Sequence, residues 1–396
     1  MILKLQKGLS LMLKPLDTLV DWTIAHRRHF HQYPELSGKE YKTHDYIKEV
    51  ISELGLHILD YLYPSLIAYL PGTVGSKTIA LRADIDALPI QEEGDKAGYL
   101  SKIPGVSHAC GHDGHTAVLM AVAKWMAENR DSIEHNVKFI FQSSEEITPS
   151  GAEVLINAGV LDDVDAIFGI HLWQGLDKGE IGLTHGPMMA STDDIKITID
   201  ASGGHGSMPH QTIDPIYIAS HLVQSYQAIV SRQIDPIEPA VISICKIVGG
   251  TNYNIIPSKV ELYGTMRAVT PETQAFIQDR ISQQTAGICS SFSASHQIEF
   301  TTGTPPVVND RKESMFVEKV IKEHMGENVF SLISMTMAAE DFSFYLMEKP
   351  GAFVFVGMKG EKSQYPHHHA KFDLDEGVFE SAIQLFIKIV QDYPAE

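Results

Sequence analysis

Residues 108–126 read HACGHDGHTAVLMAVAKWM, a ligand-rich loop that runs directly into an alanine-rich apolar stretch. The loop holds three histidines, one thiol and one carboxylate around Gly111 and Gly114. Those glycines let the backbone bend, so side chains of unequal reach can converge on one point. Cys110 and His112 are two residues apart, which puts both on one side of an extended segment. A thiolate and an imidazole facing one point suit a borderline-soft dication such as zinc. Alone, the same residues also fit a buried cysteine in a histidine-rich loop. The apolar stretch that follows predicts a helix over about 116–126.

The pattern upstream and downstream sets the fold class. Leu19, Trp22, His26 and Phe30 recur at helical spacing until Tyr33-Pro34. Ile47, Val50, Ile51 and Leu54 mark a second helix, stopped by Gly55. Strand-like runs follow at 66–70 and 78–83, and the second leads into RADIDALP, with Asp84 and Asp86 on one face. Beyond the helix come a strand at 137–142, the SSEE turn, a helix near 152–158 and a buried strand at 165–170 that delivers His171. Strands alternating with helices predict a layered α/β domain with largely parallel strands. After 186–191 the order becomes strand (195–200), helix (from Asp214-Pro215), strands (240–248 and 258–267), helix (from Thr270) and strand (297–301). That β-α-β-β-α-β order is ferredoxin-like. Pro305-Pro306 reads as a linker, after which helix, strand and helix resume the first style at 314–325, 353–356 and 378–390. The expected organisation is an α/β domain, 1–190 and 305–396, with an α+β domain inserted at 191–304.

Bulk properties narrow the function classes. A chain of 396 residues exceeds one ordinary core, which agrees with two domains. Its formal net charge of −19 argues against nucleic acid or an anionic membrane as partner. A small anionic substrate would need a local positive clamp. Cys110, Cys245 and Cys289 are few and far apart, with no disulfide pattern, which fits a reducing compartment. The first 14 residues, MILKLQKGLSLMLK, lack a small-residue cleavage site, and no long apolar run occurs, so neither a signal peptide nor a membrane span is expected. The expected location is the cytoplasm.

Further ligand candidates are Glu145, Glu146, His171 and the run His367-His368-His369. Glu145 and Glu146 follow a strand end, where α/β sheets build their sites. Adjacent carboxylates repel unless solvent or a cation relieves them, and they point in different directions, so one can ligate while its neighbour holds a water. Asp84 and Asp86 could ligate or could orient metal-bound histidines. One thiol, three imidazoles and a carboxylate would make five protein ligands, more than the usual three of one catalytic zinc, which points to two ions.

The segments RADIDALP, HACGHDGH, SSEE, GIHLW, GGHGSMPH, NIIP, GTMR, AAEDFSFY and HHHAKFD together resemble the N-acyl-amino-acid amidohydrolase family of the co-catalytic metallopeptidase clan. That group includes aminoacylases, hippurate hydrolases, indoleacetyl-amino-acid hydrolases and N-acetyldiaminopimelate deacetylases. The resemblance runs from about Arg27 to Phe372. It implies a di-metal peptidase-like catalytic domain with an inserted lid domain that usually forms a homodimer interface. It implies Cys110, His112, Glu146, His171 and His368 as metal ligands, with Cys110 bridging two divalent ions, Zn²⁺ or Mn²⁺. Glu145 matches the general base, and His205, Asn254 and Arg267 match lid residues that hold an N-acyl amino acid substrate. Two departures stand out. Ala370 replaces the proline that usually follows the last histidine motif, which leaves His369 as an alternative ligand. ITPSGAE replaces a common glycine run after the paired glutamates. Two rival readings remain at this level: Cys110 as a thiol nucleophile, and a metal- or peptide-binding protein without catalysis.

Overall fold

The computed structural model describes residues 16–96 and 98–395; the 1–14 stretch lies outside them. In chain order it forms α1 (Leu16–Gln32), α2 (Tyr41–Glu53), β1 (His57–Leu59), β2 (Leu66–Leu70), β3 (Thr78–Asp84), α3 (His112–Glu128), β4 (Asn136–Gln142), α4 (Gly151–Asn157), β5 (Ala166–Asp177) and β6 (Ile181–Leu183). Then come β7 (Pro187–Met189), β8 (Asp193–Asp200), β9 (Gly204–His205), α5 (Pro215–Gln233), β10 (Ala240–Gly249), β11 (Ile255–Ile256), β12 (Lys259–Ala268), α6 (Pro271–Ser291), β13 (Ser295–Thr302) and β14 (Val307–Val308). The chain ends with α7 (Arg311–His324), β15 (Phe330–Leu332), α8 (Phe342–Glu348), β16 (Gly351–Lys359) and α9 (Phe379–Asp392). Two compact units result. One holds the described residues to Gly186, Asn309–Ile333 and those from Phe344 onward; the other holds Pro187–Val308 and Ser334–Ser343.

The first unit is built on an eight-stranded sheet in the order β1-β2-β4-β3-β5-β16-β6-β15. Its centre, β4-β3-β5-β16, is parallel, while β1, β2 and β6 join antiparallel. Every residue of β3 is buried, as expected for a parallel strand covered on both faces. α3 is buried along most of its length, with Val118, Leu119, Met120 and Val122 fully inside the core. Because β3, β4 and β5 run the same way, their C-terminal ends share one edge. Asp84 closes β3 opposite Gln142 of β4, so the SSEE turn emerges beside it.

Two local expectations are corrected here. Cys110 and His112 do not share an extended segment: Gly111, at φ 104°, is the N-cap, and His112 is the first residue of α3. The left-handed turn, open to glycine, swings the thiol and the imidazole together. β5 also continues past Ile170, because its ladder with β16 extends through Trp173 and Trp173 stacks on Phe355 at 4.2 Å. His171 therefore sits inside a strand instead of after one.

The second unit carries an antiparallel sheet in the order β10-β12-β8-β13, with α5 and α6 against it. Each helix starts on a side-chain cap followed by proline. Asp214 accepts the Ile216 and Tyr217 N–H groups, and Thr270 accepts that of Thr273. Ile195, Ile197 and Ile199 alternate inward along β8 and pack in one core with Ile218, Leu222 and Ile281. Ser334–Ser343 joins this unit through backbone hydrogen bonds of Thr336 with Met188 and Ala190. Among the described residues no helix is long and apolar enough to cross a membrane.

Candidate metal centre

Ligand atoms of Cys110, His112 and His171 lie within 4.8 Å of one another. The same holds for Cys110, Glu146 and His368, and for His112, Glu145 and Glu146. Cys110 Sγ is 3.5 Å from His171 Nε2, and His368 Nε2 is 3.2 Å from Glu146 Oε1. His112 Nε2 stands 4.0 Å from one oxygen of each glutamate. Six of the nine candidates read from the sequence therefore meet in the first unit.

Each ring is aimed by the hydrogen bond on its other nitrogen. His112 Nδ1 donates to the Asp86 carbonyl and to Asp86 Oδ1 at 3.0 and 3.1 Å. His171 Nδ1 donates to the Leu172 carbonyl at 3.0 Å. Both Nε2 lone pairs are thus left facing the cluster. Asp86 Oδ2 accepts the Glu146 N–H at 3.1 Å and the Ser37 hydroxyl at 2.7 Å, so one carboxylate orders two candidate ligands. That resolves the open choice for Asp86 in favour of orientation. Asp84 bonds His115 Nδ1 and Arg82, each at 2.7 Å.

The histidine run divides by geometry. His367 has both ring nitrogens tied to backbone groups. His369 stacks on Tyr365 at 4.7 Å and accepts the Lys371 N–H. Only His368, at φ 64°, turns toward Cys110 and Glu146. A non-glycine residue in the left-handed region stores strain, and such residues cluster at functional sites.

The electrostatics match a seat for cations. Burial pushes the Cys110 thiol up, and Glu146 adds to the rise. Burial opposes charge on His112, but Asp84 and Cys110 hold its imidazole well above the usual range. Hydrogen bonds to Cys110 and Glu146 push His368 up to about 10. Burial and then His115 drive His171 well below its ordinary value. The surroundings thus favour positive charge at His112 and His368 and oppose it at His171. The buried His112 Nε2 has no hydrogen-bond partner. Soft sulfur, borderline nitrogen and hard oxygen donors together suit borderline dications, so these residues fit a metal centre.

His205 and Asn254 meet in the second unit. β9 pairs with β11, and the Asn254 carbonyl accepts the Gly206 N–H at 2.9 Å. Arg267 lies on β12 and bonds Thr265 Oγ1 and the Met266 carbonyl. Sequence reasoning missed two supports of the cluster. Fully buried Arg27 pairs with Asp113, beside His112, and with Asp373 and Glu376, beyond the histidine run. Buried Glu40 accepts the Ser144 N–H at 2.8 Å. The one available signal was Asp113 within the motif; nothing local marked Glu40.

Residues 80–392 match the model of peptidase family M20/M25/M40. An N-acyl-L-amino acid amidohydrolase of Geobacillus stearothermophilus is 45% identical over 287 residues, 72% of this chain and 77% of that protein. Thermostable carboxypeptidase 1 of Saccharolobus solfataricus is 38% identical over 363 residues, 90% and 92% of the two chains. A Bacillus subtilis structure described as a dinuclear metal-binding peptidase of family M20 superposes with TM-score 0.84 at 33% identity, covering 95% of this chain and 98% of that one. The chain belongs to peptidase family M20/M25/M40 and is a metal-dependent hydrolase of amide bonds.

Proposed function

We propose that this protein is a two-metal amidohydrolase that cleaves N-acyl amino acids into a carboxylic acid and a free amino acid. The observation that carries the reading is that Cys110 belongs to two ligand groups at once, one with His112 and His171, the other with Glu146 and His368. These two donor sets, with Cys110 common to both, would hold two divalent ions, with Zn²⁺ or Mn²⁺ the best fits. Such ions supply carbonyl polarisation and a water acidic enough to attack at neutral pH.

The chain's residues divide the remaining work. Glu145 takes the proton of the attacking water and delivers it to the leaving nitrogen. His205 accepts the Ser207 N–H on Nδ1, so its own proton sits on Nε2, as a donor to the tetrahedral oxyanion requires. Asn254 assists in holding the substrate, and Arg267 clamps its α-carboxylate, since a guanidinium fork offsets the −19 field locally. In this reading 1–190 and 305–396 are catalytic and 191–304 is the lid. The lid also forms a homodimer, supported by exposed Ile247 and Val248 on the sheet-edge strand β10. A cytoplasmic location is supported by three unpaired cysteines.

The 3.5 Å Cys110–His171 pair favours one alternative, a thiol nucleophile. A raised thiol opposes it, because thiolate is the nucleophilic form. Chelation followed by readdition of Zn²⁺ or Mn²⁺ separates the two. The metal reading expects hydrolysis of acetyl and benzoyl amino acids to vanish and return; full activity in metal-free protein would sink it. Running dipeptides in the same assay distinguishes acyl-amino-acid from peptide substrates.

A further inference from the structure

β5 has strand neighbours on both sides for only part of its length. β3 pairs with it over Ile79–Arg82 against Ala166–Gly169, while β16 continues along the other side past Trp173. Among the described residues no strand pairs with that edge beyond Gly169, although Leu172 is fully buried. A buried N–H without an acceptor is destabilising, so such groups are nearly always paired. Here the Leu172 N–H is accepted by His115 Nε2 at 2.9 Å, and the Gln174 N–H by His367 Nε2 at 3.1 Å. Two imidazoles stand where the next strand would have been.

The partners fix the tautomers. His115 Nδ1 faces Asp84 Oδ1 at 2.7 Å, and His367 Nδ1 faces the Cys110 carbonyl at 3.2 Å. Carboxylate and carbonyl oxygens accept, so both rings carry the proton on Nδ1 and a lone pair on Nε2. All four nitrogens are engaged, which leaves none for an ion. The two rings also flank His171, with centroids 4.5 and 5.0 Å from it, both edge-on. His115 follows His112 on α3, and His367 immediately precedes His368.

We infer that His115 and His367 are positioning residues: neutral clamps that fasten β5 to the Cys110 loop and to the histidine run, and thereby aim His171 at the cluster. The inference rests on the two-metal reading above. It explains why a chain with this many histidines near one centre commits only some of them to ligation.

The test is titration of metal-free, full-length protein with Co²⁺, read by the visible spectrum of the bound ion and by chelator competition. Wild type should take up two ions; if it takes up none, the metal reading fails, and that outcome is distinct from failure of the clamp. His115→Ala and His367→Ala should each weaken one of the two ions by roughly 10–100-fold and alter its spectrum. His115→Gln and His367→Gln, whose Oε1 can accept the same N–H, should keep most of the affinity. Alanine variants that titrate like wild type would overturn the clamp, as would glutamine variants that lose as much as alanine. If the alanine variants fail to fold, ¹⁵N-histidine NMR of wild type decides. Both rings should be neutral with the proton on Nδ1, and a proton on either Nε2 overturns the inference.

Discussion

Ser144 sits at φ 57° just before the paired glutamates; one oxygen of each lies 4.0 Å from His112 Nε2, and Glu146 also meets Cys110 and His368. The two carboxylates should therefore fail differently. Glu145→Gln removes the base but keeps the shape, so kcat should fall on the order of 10²–10⁴-fold with metal retained. Glu146→Gln should lose metal instead; elemental analysis showing the opposite pattern would exchange the two roles. Glu40, which bonds Ser144, supplies a pH test. Burial and then the charge of Asp86 raise its carboxyl from 4.5 to about 7. Below 4.5 folded and unfolded chains both hold the proton, so the group is neutral to stability. Between 4.5 and about 7 the unfolded chain ionises while the folded chain keeps its proton, so stability falls across that window and levels off above it. Metal-free Glu40→Gln should thus gain on wild type between pH 5 and pH 8 in urea midpoints. Parallel pH curves for the two proteins would mean that Glu40 ionises freely.

At the scale of elements, the connection from β4 to α4 carries the chemistry in a tight fold of backbone. A Cβ on Gly151 would lie 1.7 Å from the Ser143 carbonyl oxygen, and the Gly151 N–H donates to Ser144 at 2.9 Å. Neither group can move without moving the paired glutamates. Gly151→Ala should cost about 1–3 kcal/mol, seen as a lower Tm, and should lower kcat more than a surface change of equal cost. Unchanged melting and activity would show that the turn yields. This glycine was visible in the sequence only as part of ITPSGAE, a departure from the family's glycine run. Its steric reason exists only once β4 and α4 have packed.

For the whole molecule, the open question is assembly through the second unit. β10 ends its sheet, and Ile247 and Val248 on it are about half exposed. An uncovered apolar edge strand is a template for pairing, and a twofold partner closes it. Light scattering should give a dimer for wild type, and Ile247→Glu with Val248→Lys should give a folded monomer. A wild-type monomer at micromolar concentration would remove the homodimer from the proposal. The unit boundaries themselves depend on long-range pairing: Ser334–Ser343 joins the second unit through Thr336, a partner that no composition shift announces.

Local chemistry sufficed to read the alternation of elements, the ferredoxin-like order and the residue types of a metal centre. Proline stops, side-chain caps and apolar periods act over a few residues and are written in them. Tertiary structure decided what depends on partners far along the chain. It turned His368, of three adjacent histidines, toward Cys110 and Glu146, while His367 is held by Cys110 and Gln174 and His369 by Tyr365. It made Asp86 an orienting group, since His112, Ser37 and Glu146 converge on it from three segments. It extended β5 beyond His171 because β16 lay beside it. A hydrogen bond between residues hundreds of positions apart leaves no period or spacing in the sequence, so only the folded chain decides which histidines turn toward the cluster and which are held elsewhere.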